Sequence, residues 1–267
     1  MGASFLITLR EGLEVSLVLA IIISYLVKCG RKEDIPAVWR GSALAAVLCL
    51  VSGIAFNIFV GEFEGKSEQF IEGTIAIVAA SVLTWMIFWM GKNARNLGAD
   101  LRGQVDAATS TRALMIIAFV AVLREGFETV LFLLSAETSS ASGTSVVIGG
   151  LLGLVVAAIL GRLVYAGGNK LNLALFFRVT GFLLLLFAAG LFGKFFHEYR
   201  ELLGFEDGWL VSSAWNIKSG IWAEGTFYDF MKGFFGWHYA YENIRLIAYF
   251  AYLLPVGWLF LRTSGKD

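Results

Sequence analysis

One short phrase occurs twice in this chain, each time where charge is expensive. Leu9-Arg10-Glu11-Gly12-Leu13-Glu14 lies in the first long apolar run, and Leu123-Arg124-Glu125-Gly126-Phe127-Glu128 lies in the fourth. An ionised side chain at the centre of a membrane helix costs about 2.5–3.5 kcal/mol on insertion scales. Six such charges amount to a gross penalty on the order of 15–20 kcal/mol before pairing and snorkelling. A chain that keeps this pattern twice needs a fold in which the charged groups find one another. The rest of the sequence reads as the scaffold that brings them together.

Composition places that scaffold in a bilayer. Of 267 residues, 58% are hydrophobic and 16% charged, where a soluble domain has about 25% charged residues. The chain is expected to be an all-α integral membrane protein. Thirty glycines fit that class, because glycine lets membrane helices approach closely. Cys29 and Cys49, without a CxxC pair or a neighbouring histidine, read as two buried small side chains. The first apolar run carries the charged phrase and continues to about Val27, so it reads as a retained helix, not a cleaved signal.

Crossing about 30 Å of hydrocarbon takes about 20 residues. Seven runs qualify, roughly 3–27, 39–60, 70–90, 113–135, 146–166, 174–196 and 244–261. They lack period-2 alternation and are twice too long for barrel strands. Basic residues crowd alternate connections: Lys28, Arg31, Lys32 and Arg40; then Lys92, Arg95, Arg102 and Arg112; then Arg162, Lys170 and Arg178. The connection after the second run has Lys66 alone, and the one after the fourth, with Ser139, Ser140, Ser142 and Ser145, has none. The positive-inside rule then puts the N-terminus outside, and the C-terminus, with Arg262 and Lys266, inside. The runs form two sets of three in opposite directions, an inverted 3+3 repeat plus one extra C-terminal helix, a recurring transporter plan. Gly41, Leu44 and Gly53 echo Gly149, Leu152 and Gly161 at one offset. The expected organisation is one membrane domain over 1–267. Repeat one covers about 1–92, repeat two about 112–196, an outer aromatic-rich connection about 197–243, and the seventh helix about 244–262.

Positions i and i+3 share a helix face, so Glu11 points with Glu14, and Glu125 with Glu128. At 1.5 Å per residue the first pair lies roughly 12–16 Å below the outer face, and the second roughly 18–23 Å from the inner face. The two pairs can meet. Arg10 and Arg124 can reach the glutamate four residues on, while Gly12 and Gly126 are expected to let spans one and four cross closely. Four carboxylates and two guanidinium groups total −2, a hard oxygen site suited to hard cations. A trivalent ion would bring it near neutrality. The competing reading is a structural Arg–Glu clamp, against which stands the second glutamate per arginine, since a clamp needs only one.

Glu62, Glu64, Glu68 and Glu72 form a second acidic group on the outer side. The last three are spaced for one helical stripe descending toward the membrane, an acidic mouth that would raise local cation concentration. The competing reading is a solvated loop and an acidic helix start. The 197–243 connection, with Trp209, Trp215, Trp222 and Trp237, reads as interfacial. Its His197, Glu198, Glu201, Glu206, Asp207, Glu224, Asp229 and His238 read as scattered surface polarity. Met86 and Met90 read as packing. Gly61 to Ser67 falls one residue short of a phosphate-binding loop and sits between two spans. No zinc-protease or nucleophile-elbow motif is visible.

Arg-Glu-Gly-x-Glu in spans one and four of a seven-span chain resembles the high-affinity iron permease family, the fungal ferric permeases and bacterial EfeU-like oxidase-dependent iron transporters. The likeness covers essentially the whole chain. It implies that Arg10, Glu11, Glu14, Arg124, Glu125 and Glu128 correspond to the family's iron-translocation motifs. It also implies Fe3+ as transported substrate, no permanently bound cofactor, and coupling to oxidation of Fe2+ outside. A subgroup resembling this family is associated with lead uptake. Unlike the fungal members, the sequence given has no long tail after span seven. Expected partners are membrane lipid, the metal ion, and an external oxidase or periplasmic iron-delivery protein, with no nucleic acid. The expected location is the bacterial inner membrane or the plasma membrane. The rivals are a permease for Pb2+, Mn2+ or protons, a membrane-embedded metal-dependent enzyme acting on a lipid-linked substrate, and a non-transporting metal sensor.

Overall fold

Each of the seven apolar runs is a helix in the computed structural model, which describes residues 1–93, 97–139, 143–165, 173–205 and 207–264. Arg95, Ser140, Ser142, Lys170, Glu206 and Lys266, weighed above, lie outside the described residues. The long helices are α1 (Gly2–Lys28), α2 (Ile35–Gly61), α3 (Lys66–Asn93), α5 (Thr111–Ser139), α6 (Gly143–Tyr165), α7 (Leu173–Leu202) and α9 (Asn243–Ser264). A short α4 (Leu97–Ala107) precedes α5. Strands β1 (Ser213–Asn216) and β2 (Ala240–Glu242) flank α8 (Thr226–Phe235) in the last long connection. Helices α2, α3, α6, α7 and α9 are long and apolar enough to cross a membrane. Helices α1 and α5 match them in length and differ by carrying the two charged phrases.

Four helices hold the interior. One apolar cluster joins Ala3 and Ile7 of α1 to Leu83 and Met86 of α3, Phe132 of α5, and Leu184 and Phe187 of α7, with Phe260 of α9 closing it. A second cluster lies toward the other end, where Ile22 and Leu26 of α1 meet Val38 of α2, Leu101 of α4 and Leu114 of α5. Met86 and Met90 are packing residues here, as the sequence indicated. Helices α2 and α6 stand outside this group. Their outward faces, Leu44, Val47, Leu50, Val51 and Ile54 on α2 and Val147, Leu151, Leu152, Val155 and Ile159 on α6, are apolar and exposed. Hydrocarbon accepts such faces; water would not.

The two sets of helices exchange their middle members: α6 packs along α1, and α2 along α5. Small residues set both seams, at equivalent positions. A methyl group added at Gly12 would meet Ala157, and one at Gly126 would meet Cys49. Gly161 lies against Ser16 where Gly53 lies against Val130, and Gly149 against Met1 where Gly41 lies against Met115. The third members, α3 and α7, pack on each other. Gly12 and Gly126 therefore do not seat span one on span four, as their place in the motif suggested. Each seats the middle helix of the other set, because the motif helices turn their glycine faces away from one another.

Three further expectations change. Cys49 is buried beside Gly126, but Cys29 is exposed at the end of α1. Helix α7 runs to Leu202, six residues past the expected end of span six at 196. It continues because its polar residues pair along the helix, with Lys194 and His197 each facing the glutamate four residues on. The connection expected over about 197–243 is also more than an interfacial skirt. Strands β1 and β2 pair antiparallel, Trp215 stacks between Trp237 and Tyr241, and α8 packs against α7, α1 and α5. Gly236, in the left-handed conformation that ends α8, abuts Gly190 of α7 backbone to backbone. Gly190 lies about 18 Å along the helix from Leu202, so this segment reaches well down the bundle.

The α1–α6 seam gives a direct test. Gly153→Val would drive its side chain into Thr8 and the Phe5 carbonyl, neither of which can retreat without opening the seam. The substitution should destabilise the purified protein by at least about 2 kcal/mol, read as early thermal unfolding and loss of the monodisperse chromatographic peak. Gly91→Ala, with open space around it, should stay within about 1 kcal/mol of the parent.

Candidate metal centre

Helices α1 and α5 pack against each other, and both phrases lie at that contact. In each, the arginine turns onto the glutamate one helical turn later: Arg10 Nε lies 3.2 Å from Glu14 Oε1, and Arg124 Nε lies 3.2 Å from Glu128 Oε1. Glu125 Oε1 lies 3.8 Å from Arg124 Nε. The two arginines have unlike surroundings. Arg10 is 2% exposed, whereas the Arg124 side chain is 40% exposed and holds its guanidinium 4.6 Å from the Trp89 ring centroid.

The pairing leaves oxygens over. Glu11 is buried, and neither of its carboxylate oxygens has a hydrogen-bond partner among the described residues. One oxygen each of Glu125 and Glu128, and Nη1 of Arg10, are likewise buried without a partner. Buried carboxylate oxygens in this state are costly unless something else satisfies them. Ligand atoms from Glu11, Glu14 and Glu125 all lie within 4.8 Å of one another. Glu128 stands outside that set, drawn toward the more open Arg124. The arrangement therefore offers three convergent hard oxygen donors from two crossing helices, a fourth carboxylate beside them, and two cations at the rim. Such a cluster can hold a hard cation and can re-form Arg–Glu pairs when the ion leaves.

The acidic group around the start of α3 is arranged differently from its sequence pattern. Glu62, Glu64 and Glu68 are exposed, but Glu64 precedes α3 and is separated from it by Gly65, whose φ of 63° breaks the helix. The three-residue stripe is thus reduced to Glu68 and Glu72. Glu72 is bound to Lys194 of α7, Nζ to Oε2 2.6 Å, with Glu198 at 4.0 Å on the other side. Polar residues read as scattered in fact converge: His197 Nδ1 lies 2.8 Å from Glu242, Arg200 bonds Glu242 and Glu201 at 3.0 Å, and Gln69 reaches Glu201. Lys194 closes an apolar run, and its i+4 spacing to Glu198, matched by His197 to Glu201, is the local trace of this network in the sequence. Burial alone would push the Glu242 carboxyl up, but the His197 hydrogen bond and the charges of His197 and Arg200 hold it below the usual carboxylate range.

Residues 1–261 match the Iron permease FTR1 family. The chain belongs to that family. The ferrous iron permease EfeU of Yersinia pestis is 39% identical over 268 aligned positions, covering 97% of this chain and 93% of its own length. EfeU of Escherichia coli O6:H1 (strain CFT073) is 39% identical over 263 positions, covering 96% and 93%. EfeU of Yersinia pseudotuberculosis serotype I (strain IP32953) is also 39% identical, covering 96% of this chain and 90% of its own. No solved structure matches. As a member of the iron permease family this chain is a transporter and not an enzyme, which removes the lipid-enzyme reading. It is a multi-pass integral protein of the bacterial inner membrane.

Two predictions concern the Glu72–Lys194 and His197–Glu242 network. Lys194→Met leaves Glu72 without its partner and should lower stability by about 3 kcal/mol, while the Glu72→Gln, Lys194→Met double variant should recover most of that loss in thermal unfolding. Glu242 has a folded pKa below its unfolded value, so its pairing stabilises above the unfolded pKa and is lost as pH falls through the folded one. Acidification below about pH 4.5 should release the β1–β2 segment, seen as increased amide exchange there, and Glu242→Gln should flatten that pH dependence.

Proposed function

We propose that this protein carries iron inward across the inner membrane through a carboxylate site built from Glu11, Glu14, Glu125 and Glu128. The observation that carries the proposal is the convergence of Glu11, Glu14 and Glu125 with partnerless buried oxygens between α1 and α5. Membership of the iron permease family supports iron as cargo. The proposed architecture is a single domain of seven spans, α1–α3 and α5–α7 forming an inverted repeat with α9 added, N-terminus outside. The equivalent seams at Gly12–Ala157 and Gly126–Cys49 support it, as do the basic alternate connections. Glu62, Glu64 and Glu68 collect the ion at the outer mouth.

The proposed ion at the site is Fe3+, supplied by oxidation of Fe2+ outside the membrane. Four carboxylates and two guanidinium groups total −2, so a trivalent ion leaves the smallest residual charge in a medium where charge is expensive. A second reading is direct passage of Fe2+, favoured by the name ferrous iron permease borne by the relatives. In transit the glutamates replace the ion's water, and Arg10 and Arg124 reclaim Glu14 and Glu128 once it departs.

Proteoliposomes containing this chain alone decide between these. Glu11→Gln and Glu125→Gln should each lower iron uptake at least about 100-fold at matched protein content, the loss expected for removing a ligand that acts in concert with others. Uptake at parental rate in either variant refutes the site. Accumulation of iron presented as Fe2+ under strict reduction, without an oxidase, would replace the Fe3+ reading by the Fe2+ one.

A further inference from the structure

A groove of about 350 Å3 lies between α3, α7 and α9. All three helices are long and apolar enough to cross a membrane, and none of the four motif glutamates lies on them. Ser81, Thr84 and Trp85 of α3, Phe192 of α7 and Tyr252 of α9 form its walls. Trp85 is held by stacking on Trp89 one turn on, ring centroids 6.1 Å apart, and Phe192 lies 5.3 Å from the Tyr252 ring. Ser81 and Trp85 are exposed, so in the membrane the groove is open to hydrocarbon. Its volume falls in the range of about 300–1,000 Å3 that small-ligand pockets take.

Three hydroxyls stand in this otherwise apolar wall, and their protons are already engaged. Ser81 Oγ donates to the Ile77 carbonyl at 2.7 Å, and Thr84 Oγ1 donates to the Ala80 carbonyl. Thr84 therefore accepts from the Tyr252 hydroxyl, which meets it between α3 and α9. The hydroxyls thus offer an incoming molecule only lone pairs, those of Tyr252 first. Trp85 adds an indole N–H that has no hydrogen-bond partner among the described residues.

Depth selects the ligand. Ser81, Thr84 and Tyr252 lie about 9 Å or more from both ends of the apolar runs over 70–90 and 244–261. A phospholipid keeps its polar groups nearer the surface, and an acyl chain leaves the hydroxyl lone pairs unanswered. A molecule that satisfies them has to reside in hydrocarbon, carry its own donor there, and present a flat ring to Trp85 and Phe192. An isoprenoid quinol meets all three conditions. One of its ring hydroxyls donates to Tyr252, and the other is free to accept from Trp85.

We propose that the groove between α3, α7 and α9 binds the ring of a membrane quinol, with Tyr252 as the hydrogen-bond acceptor and Trp85 and Phe192 as the ring walls. The oxidised quinone has no hydroxyl to donate, so the reduced form is preferred. Binding here involves no iron and no motif glutamate.

The test uses the full-length chain in iron-free phosphatidylcholine nanodiscs, titrated anaerobically with a radiolabelled ubiquinol bearing a ten-carbon tail and with the matching quinone. Bound label is counted after gel filtration, with empty nanodiscs giving the partitioned background. Saturable quinol binding is expected, at least about fivefold tighter than quinone binding, the worth of one hydrogen bond. Tyr252→Phe keeps the ring and its packing, and should weaken quinol binding about fivefold while leaving quinone within about twofold. Ser81→Leu fills the groove from its exposed side and should abolish saturable binding of both. No saturable binding, equal affinity for quinol and quinone, or parental affinity in both variants overturns the proposal. Displacement of the label by decane as readily as by unlabelled quinol also overturns it and assigns the groove to acyl chains. None of these outcomes bears on iron uptake, and failed iron uptake leaves this site standing.

Discussion

The constraint behind this structure is that a carboxylate deep in a membrane protein must be answered by something, and each arginine answers one glutamate of its motif closely. Arg10 closes on Glu14 and Arg124 on Glu128, both within one helical turn, so the pairing is local and needs no other helix. What remains is the glutamate next in sequence to each arginine. Glu125 keeps a looser 3.8 Å contact with Arg124, and both Glu11 oxygens and one of Glu125 face the α1–α5 contact without a hydrogen-bond partner among the described residues. A purely structural clamp would have stopped at the local pair. The surplus gives the contact a chemical character.

The rest of the packing serves that contact. Bringing two charged helices together leaves their other faces to be covered, and the covering helices have to come close enough to exclude water and lipid from the charges. Gly12 and Gly126 permit that, each on the side of its helix turned away from the opposing motif. The covering helices, α6 and α2, then face hydrocarbon with their outer sides, which is why they are apolar there and carry almost no polar side chains. The match between the halves is not complete in burial. Arg10 is sealed, while Arg124 is open and rests on Trp89. The two motifs differ in sequence only at Leu13 and Phe127, yet their arginines are unequal in exposure.

Much of this could be read from residue order. The seven long helices fall where the apolar runs fall, because only a helix satisfies the backbone over such lengths in lipid. The i+4 reach of each arginine and the shared face of each glutamate pair follow from helical geometry. The misreadings have physical causes. Glycine within a motif tells that a neighbour comes close but not which neighbour, and Gly12 meets Ala157 of α6 instead of α5. Spacing alone put Glu64 on a helix that Gly65 interrupts. The apolar run ends before α7 does, because Lys194, His197, Glu198 and Glu201 pair along the helix and His197 reaches Glu242 of β2. That network depends on contacts between positions far apart in sequence, such as Glu72 with Lys194, and no local pattern encodes them.

The arginines also bear on which ion the proposed site would favour. Two fixed cations beside the ligands repel any ion that enters, so a weakly charged ion gains little from carboxylates already held by guanidinium groups. An ion of higher charge gains more from each oxygen, and can displace the arginines from Glu14 and Glu128 where a monovalent ion cannot. The same groups limit how tightly the ion is held, because two of the ligands it leaves, Glu14 and Glu128, each have a replacement partner at 3.2 Å. A site of four glutamates alone would bind more strongly and release more slowly. In the proposed permease, the arginine in each motif is what keeps a high-charge site from becoming a trap.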